Sequence, residues 1–129
     1  MPIQFVLLPV FVQVGLTFAL CALLVYAHHR GADPRREKRI SDSFTNQFEI
    51  PVLFFALIPL ALSTRQADHL FVALEWIFVS SRIGHAFIHV TSNRQPTRGI
   101  FWGVGILALV IMWIVFSGRI LFPPIIAPV

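Results

Sequence analysis

The sequence predicts an all-α integral membrane protein, a bundle of four transmembrane helices forming one domain over residues 1–129. The first observation is composition: 57% of the residues are hydrophobic, only 12% are charged, and the mean hydropathy is +0.78. A water-soluble chain this small needs far more polar residues to cover its surface, whereas lipid-facing side chains can be apolar. The second observation is that the apolar residues form four long runs, separated by short polar segments.

The first span is predicted over residues 3–27, which contain no charged side chain. As a helix these residues rise roughly 37 Å, enough to cross a hydrocarbon core of about 30 Å. The run is too long for a cleavable signal peptide and no basic residue precedes it, so we interpret it as a membrane helix. It contains Cys21, the single cysteine, so no intrachain disulfide is expected.

The second span is predicted over residues 44–63, after a basic loop at 28–43 that contains Gly31 and Pro34. The later part of that loop is compatible with helix. Pro51 and Pro59 predict a kink in this span.

The third and fourth spans are predicted over residues 69–90 and 99–121. The connection at 64–68 is short, so spans two and three should be antiparallel neighbours. The C-terminal tail is predicted to be non-helical because it contains Pro123, Pro124 and Pro128.

The orientation is predicted from the basic residues, which concentrate in the first and third loops. The positive-inside rule places these loops in the cytoplasm. Membrane lipids are expected partners, and no nucleic-acid-binding pattern is present. Short loops are typical of a bacterial inner-membrane protein. The basic residues of the two loops are Arg30, Arg35, Arg36, Lys38, Arg39, Arg94 and Arg98.

A polar constellation is predicted inside the membrane. On span three, the polar side chains form one stripe within an arc of about 80° at 100° per residue. On span two, Asp42, Asn46 and Glu49 share a face if the helix begins before Asp42. Counted from the loop ends, five side chains can meet at one level, whereas Glu75 lies deeper and is left out. The five are Asn46, Glu49, Arg82, His85 and His89.

The residue pattern alone leaves two interpretations of this constellation open. Glu49 and Arg82 can form a structural ion pair between helices, or the group can bind a small molecule or ion. A small multidrug exporter is disfavoured, because such proteins use an acidic residue in the first helix and none is present here. No metal site is predicted.

The order and spacing of these residues resemble the MAPEG family, the membrane-associated proteins in eicosanoid and glutathione metabolism. The resemblance covers almost the whole chain. It includes the basic first loop, Asn46-Gln-Phe-Glu49 on span two, and Arg82-Ile-Gly-His85 on span three. The segment Arg94-Gln-Pro-Thr-Arg98 is similar to the Arg-x-Pro-x-Arg pattern of the prostaglandin E synthase branch.

The resemblance implies a homotrimer that binds glutathione between subunits and a lipophilic small molecule from the bilayer. It implies a glutathione-dependent transferase or peroxidase, or a non-catalytic protein that keeps the fold. Arg98 matches the catalytic arginine that steadies the thiolate. Asp42 and His89 stand where relatives that use glutathione usually carry arginine and tyrosine. The residues implied to bind glutathione are Asn46, Glu49, Arg82, His85, His89 and Arg30.

Overall fold

The computed structural model describes residues 2–92 and 95–122, which form five α-helices. Four segments are long and apolar enough to cross a membrane, as predicted, and the chain is a multi-pass integral membrane protein. The predictions for Arg94 and for the proline-containing tail at 123–129 lie outside the described residues. The helices are α1 (Ile3–His29), α2 (Pro34–Asn46), α3 (Pro51–Ser63), α4 (His69–Val90) and α5 (Gln95–Leu121).

The connection from α1 to α2 is short. Gly31 has φ +65°, a left-handed conformation that glycine adopts without steric cost, and it turns the chain after His29. Asp33 then caps α2, since its carboxylate accepts a hydrogen bond from the Arg35 N–H at 3.0 Å, and Pro34 occupies the first turn. The basic residues at positions 35–39, which were expected in a loop, therefore form the polar start of α2, well before residue 44.

The second membrane segment is broken in its middle. Pro51 has no N–H to donate to the carbonyl four residues earlier, so α2 ends at Asn46 and α3 begins at Pro51. The intervening turn is held by tighter bonds, such as Phe48 N–H to the Thr45 carbonyl at 2.9 Å. The chain continues as regular helix through Pro59. The break places Glu49 in the turn.

The connection from α3 to α4 is stabilised by an ion pair and by a helix-capping hydrogen bond. Asp68 accepts a hydrogen bond from the Phe71 N–H at 3.0 Å, which caps α4, and pairs with Arg119 of α5 at 2.7 Å. Partial burial favours the neutral form of Asp68. The hydrogen bond from Phe71 and the positive charge of Arg119 outweigh it and hold the pKa of Asp68 below its ordinary value.

The helix pair α4–α5 has the most extensive packing in the chain. Two glycines allow this approach: a Cβ at Gly84 would stand 2.5 Å from the Phe101 ring, and one at Gly105 would stand 2.5 Å from the Ser81 hydroxyl. The apolar core lies beyond them, where Phe54 of α3 stacks on Phe78 of α4 with ring centroids 4.8 Å apart.

A buried amide pair joins α1 to the end of α2. Gln13 donates from Nε2 to the Gln47 Oε1 at 2.8 Å, and Gln47 donates to the Ser43 carbonyl at 2.9 Å. Both glutamine side chains are inaccessible to solvent or lipid. Because an amide buried without a partner is costly, this pair fixes α1 beside α2.

Candidate functional site

The relative height of α2 and α4 is given by one contact. Arg39 of α2 donates from Nη1 to the carbonyl oxygen of Thr91, directly after α4, at 3.5 Å. A cation at a helix C-terminus is electrostatically favourable. We call the end of the bundle where α1 and α4 finish and α2 and α5 begin the loop face. Because α2 leaves this face as α4 arrives at it, levels along both helices can be counted from the Arg39–Thr91 contact.

The predicted site residues form three levels below this contact. At 1.5 Å per residue, His89 lies about 3 Å below it, with Asp42 about 4.5 Å below on the facing helix. Asn46 and His85 lie about 9–11 Å below it. Glu49 and Arg82 lie about 14–15 Å below it. Electrostatic interactions between Asp42 and His89, and between Glu49 and Arg82, agree with this pairing of levels.

The deepest level contains a buried arginine beside an exposed carboxylate. Arg82 is 2% exposed, and within residues 2–92 and 95–122 its Nε and Nη2 atoms have no hydrogen-bond partner. Glu49, in the turn between α2 and α3, lies on the surface of the single chain. The two charges act on each other without forming a short ion pair among the described contacts. The guanidinium therefore retains hydrogen-bonding capacity.

Three residues of the two upper levels, His89, His85 and Asn46, border one cavity, which we call the site cavity. Its volume is about 340 Å³, within the range of small-molecule sites. His85 and His89 line it with 4% and 7% exposure, and their ring centroids are 5.7 Å apart. Among the described residues, the Nδ1 atom of each ring has no hydrogen-bond partner. The lining consists of Asn46, His85, His89, Arg98, Gly99 and Trp102.

Arg98 reaches the site cavity from the first turn of α5. Its charge acts on both His85 and His89. The partial positive charge of a helix N-terminus adds to that of the side chain, so this wall attracts anions.

Arg30 lies apart from the site cavity. It follows the last residue of α1, where its guanidinium stands over the Tyr26 ring at 5.4 Å. Its Nε also donates to the Tyr26 hydroxyl at 3.2 Å. The single chain thus brings Asn46, His85, His89 and Arg98 together around one cavity, with Arg82 and Glu49 below it, and leaves Arg30 at the loop face.

Two participants were missed from the sequence. Gly99 and Trp102 line the cavity beside Arg98, and Trp102 follows Arg98 by one helical turn, so helical spacing from Arg98 could have found it. Arg39 was interpreted as part of the basic loop, and only the structure shows it bonded to α4.

The arrangement suits an anionic ligand with a polar body. Arg82 and Arg98 offer guanidinium donors, Asn46 offers an amide, and the two histidines offer ring nitrogens. Carboxylates are the natural partners of guanidinium groups. A thiolate held near such cations would be stabilised as the nucleophilic form. Among the described residues, no group of three or more His, Cys, Asp or Glu side chains is arranged to hold a metal ion.

Comparison with known proteins gives one match. A family model described as the MAPEG family matches residues 6–117, which include every residue that lines the site cavity. No curated protein and no solved structure matches the chain.

Proposed function

The chain belongs to the MAPEG family, and from that premise we propose that it is a glutathione-dependent transferase acting on lipophilic electrophiles. In this proposal the protein works as a homotrimer, with glutathione bound in the site cavity and the loop face in the cytoplasm. The electrophile arrives through the bilayer.

One observation carries the proposal: Arg82 is buried below the site cavity, and within residues 2–92 and 95–122 its Nε and Nη2 atoms have no hydrogen-bond partner. A charged group left unpaired in a low-dielectric interior is strongly destabilising, and arginine inside a membrane span is costly in any case. Arg82 does not line the cavity itself, so a ligand carboxylate would have to reach below the lining residues to satisfy these donors. Glutathione carries two carboxylates and a peptide backbone, which match Arg82, Arg98 and the Asn46 amide.

The exposure of Glu49 supports the homotrimer. Its carboxylate lies about 15 Å below the Arg39–Thr91 contact, on a surface that would face lipid in a single chain. A charged side chain facing hydrocarbon costs several kcal/mol by insertion scales, about 2.5 or more. A neighbouring subunit packed over the turn at 47–50 would remove that cost and close the site cavity from its open side.

The proposed chemistry is nucleophilic transfer. Arg98 and the N-terminus of α5 lower the pKa of the bound thiol, which releases its proton to solvent and becomes a thiolate. The sulfur lone pair forms a bond to the electrophilic carbon, and the carbon's leaving group departs with its bonding electrons. Where the electrophile is an activated double bond, the displaced π electrons take a proton from solvent instead.

The negative charge of Asp42 affects which residues can bind the ligand carboxylates. It stands where glutathione-using relatives usually carry arginine, and here it pairs with Lys38 at 3.4 Å. Its carboxylate repels ligand carboxylates, so in this chain their anchoring falls to Arg98 and Arg82. His89 replaces a tyrosine hydroxyl with a ring nitrogen that can donate or accept a hydrogen bond.

The test is calorimetric titration of the purified protein in detergent with glutathione, with the ultraviolet absorbance of the thiolate followed in parallel. We expect saturable binding at millimolar glutathione or below, with thiolate present near neutral pH. Arg82→Gln should weaken binding at least tenfold, as loss of a charge-assisted hydrogen bond predicts. Arg36→Gln on the exposed side of α2 is the control and should bind normally. Absence of binding at millimolar thiol contradicts the proposal.

A second function, that of a non-catalytic membrane protein, is favoured because Glu49 and Arg82 lie at the same depth in the bundle. In a non-catalytic membrane protein, this pair would stabilise the assembly and the site cavity would be structural. That function predicts that Glu49→Ala lowers thermal stability, whereas Arg98→Ala changes neither stability nor any thiol-transfer rate. A loss of transfer in Arg98→Ala with unchanged stability would exclude it.

A further inference from the structure

Trp102 stands at the rim of the site cavity. Its indole lines the cavity together with Arg98 and Gly99, yet the residue is 47% exposed, whereas the His85 ring in the same cavity is 4% exposed. Gly99 lies three residues before Trp102 on the same side of α5, and a Cβ added there would meet nothing within 4 Å. The space beside the indole is therefore open, and the outward part of the ring is not used by a ligand that fills the cavity.

The depth of Trp102 places this rim inside the hydrocarbon layer. A Cβ at Gly84 of α4 would stand 2.5 Å from the Phe101 ring, so Phe101 lies at the level of Gly84. That level is about 10–11 Å below the Arg39–Thr91 contact, and Trp102 follows one residue deeper. Helix α4 has 22 residues, which span about 33 Å, only slightly more than a hydrocarbon core of about 30 Å. The rim therefore lies below the headgroup layer in which interfacial tryptophans are common.

The site cavity is thus polar toward the loop face and aromatic toward the bilayer. Arg98 lies four residues before Trp102 on the same side of α5, about 6 Å nearer the loop face. Asn46 lines the cavity from α2, so Trp102 lies across the cavity from the turn at 47–50, where the neighbouring subunit would pack. A molecule dissolved in the bilayer can therefore reach the indole without crossing the headgroups, and it would meet there a thiolate held by Arg98.

We propose that Trp102 selects the electrophile, in favour of planar conjugated electrophiles such as aryl-substituted enones; this inference rests on the proposed function. A flat π system stacks on the indole face, and such aromatic pairs contribute beyond the area they bury. A puckered aliphatic electrophile of the same size buries similar apolar area without stacking. In the reaction the thiolate sulfur forms a bond to the β carbon of the enone. The π electrons move to the carbonyl oxygen, and the resulting enolate takes a proton from solvent.

The experiment compares two enones that differ only in the ring. Benzalacetone carries a phenyl ring on the reacting double bond, and its analogue carries a cyclohexyl ring there. Conjugation with glutathione by the full-length protein in detergent is followed as loss of the enone absorbance, and each kcat/KM is divided by the uncatalysed rate constant of the same enone. We expect this quotient to be about fivefold higher for benzalacetone, as one aromatic stacking contact predicts. Equal quotients for the two enones overturn the proposal.

Variants assign the preference to the indole. Trp102→Leu and Trp102→Met, two aliphatic replacements, should remove the preference, whereas Trp102→Phe keeps an aromatic face and should retain about twofold or more. The matched control is Trp76→Leu. Trp76 is also an exposed indole, but it lies nine residues before His85, on the opposite side of α4, and should leave the fivefold preference intact. A structural role alone would lower both quotients together. An aliphatic variant with an unchanged melting temperature that keeps the preference overturns the assignment.

A binding measurement separates this inference from the proposed function. Benzylacetone has the phenyl ring but no electrophilic double bond, so its calorimetric titration without glutathione, corrected for empty micelles, reports binding of the flat ring alone. Trp102→Leu should weaken this binding about fivefold, and Trp76→Leu should not. If this pattern is found while no glutathione conjugate forms, the proposed function fails and the indole stands as a binding site for planar molecules. Equal binding by the two variants overturns the inference.

Discussion

Replacement of Gly84 by alanine would disturb the packing that holds α5 against α4. The new Cβ would stand 2.5, 2.6 and 3.0 Å from three ring carbons of Phe101, well inside van der Waals contact. The ring must move by about 1 Å, and overpacking of this kind costs about 1–3 kcal/mol. Alanine regains up to about 1 kcal/mol of helix propensity over glycine. The expected net destabilisation is therefore about 1 kcal/mol.

The control for this change is Gly103→Ala on α5, where an added Cβ meets nothing within 4 Å. It gains the propensity without the clash and should be neutral or slightly stabilising. Unfolding would be followed in mixed micelles by increasing the fraction of denaturing detergent, with circular dichroism as the readout.

The cause is tested by adding Phe101→Ala. If the ring is the obstacle, the cost of Gly84→Ala should disappear in that background, as a double-mutant cycle measures. Because Arg98 lies one turn before Phe101 on α5, Gly84→Ala should also weaken glutathione binding. Stability of Gly84→Ala equal to or above that of the unmodified protein would refute the packing reasoning.

Three further changes give distinct results. Arg98→Gln should weaken calorimetric glutathione binding about tenfold or more and also remove the thiolate absorbance at neutral pH, since the lost cation both holds a ligand carboxylate and stabilises the charged sulfur. Gln13→Leu should destabilise the protein by about 1–3 kcal/mol in detergent unfolding, because it leaves the buried Gln47 Oε1 without its donor, and Gln13→Leu with Gln47→Leu should recover much of this loss. Asp68 has a pKa below its ordinary value in the folded state, so its stabilising contribution is complete above that ordinary value and is lost as pH falls through the lower, folded value. Asp68→Asn should flatten this acid dependence in thermal unfolding and have the smallest effect at the lowest pH.

The span architecture was predictable because the bilayer imposes it. Long uncharged runs have no other stable location, and the helices end near the predicted positions at Ser63, Val90 and Leu121. The stripe on α4 was also predictable, since helical periodicity alone places Arg82, His85 and His89 on one face. These features depend on local sequence.

The features that could not be predicted depend on contacts between distant segments. The charged segment before residue 44 reads as a loop by hydropathy, although Asp33 and Pro34 start a helix there. The hydrogen bond from Arg39 to Thr91 joins residues 52 positions apart, so no local sequence pattern predicts it. Pro51 predicted a kink, but whether the helix only bends or is interrupted depends on how the turn at 47–50 packs.

The length of helix α2 fixes how deep Asn46 lies below the loop face. It runs unbroken from the cap at Asp33 to Asn46, so each residue in it adds about 1.5 Å of depth and about 100° of rotation. One residue inserted between positions 35 and 45 would turn the Asn46 amide away from His85. An insertion at 30–32, before the cap, would lengthen only the connection. Tolerance to changes in length should therefore drop abruptly at Asp33.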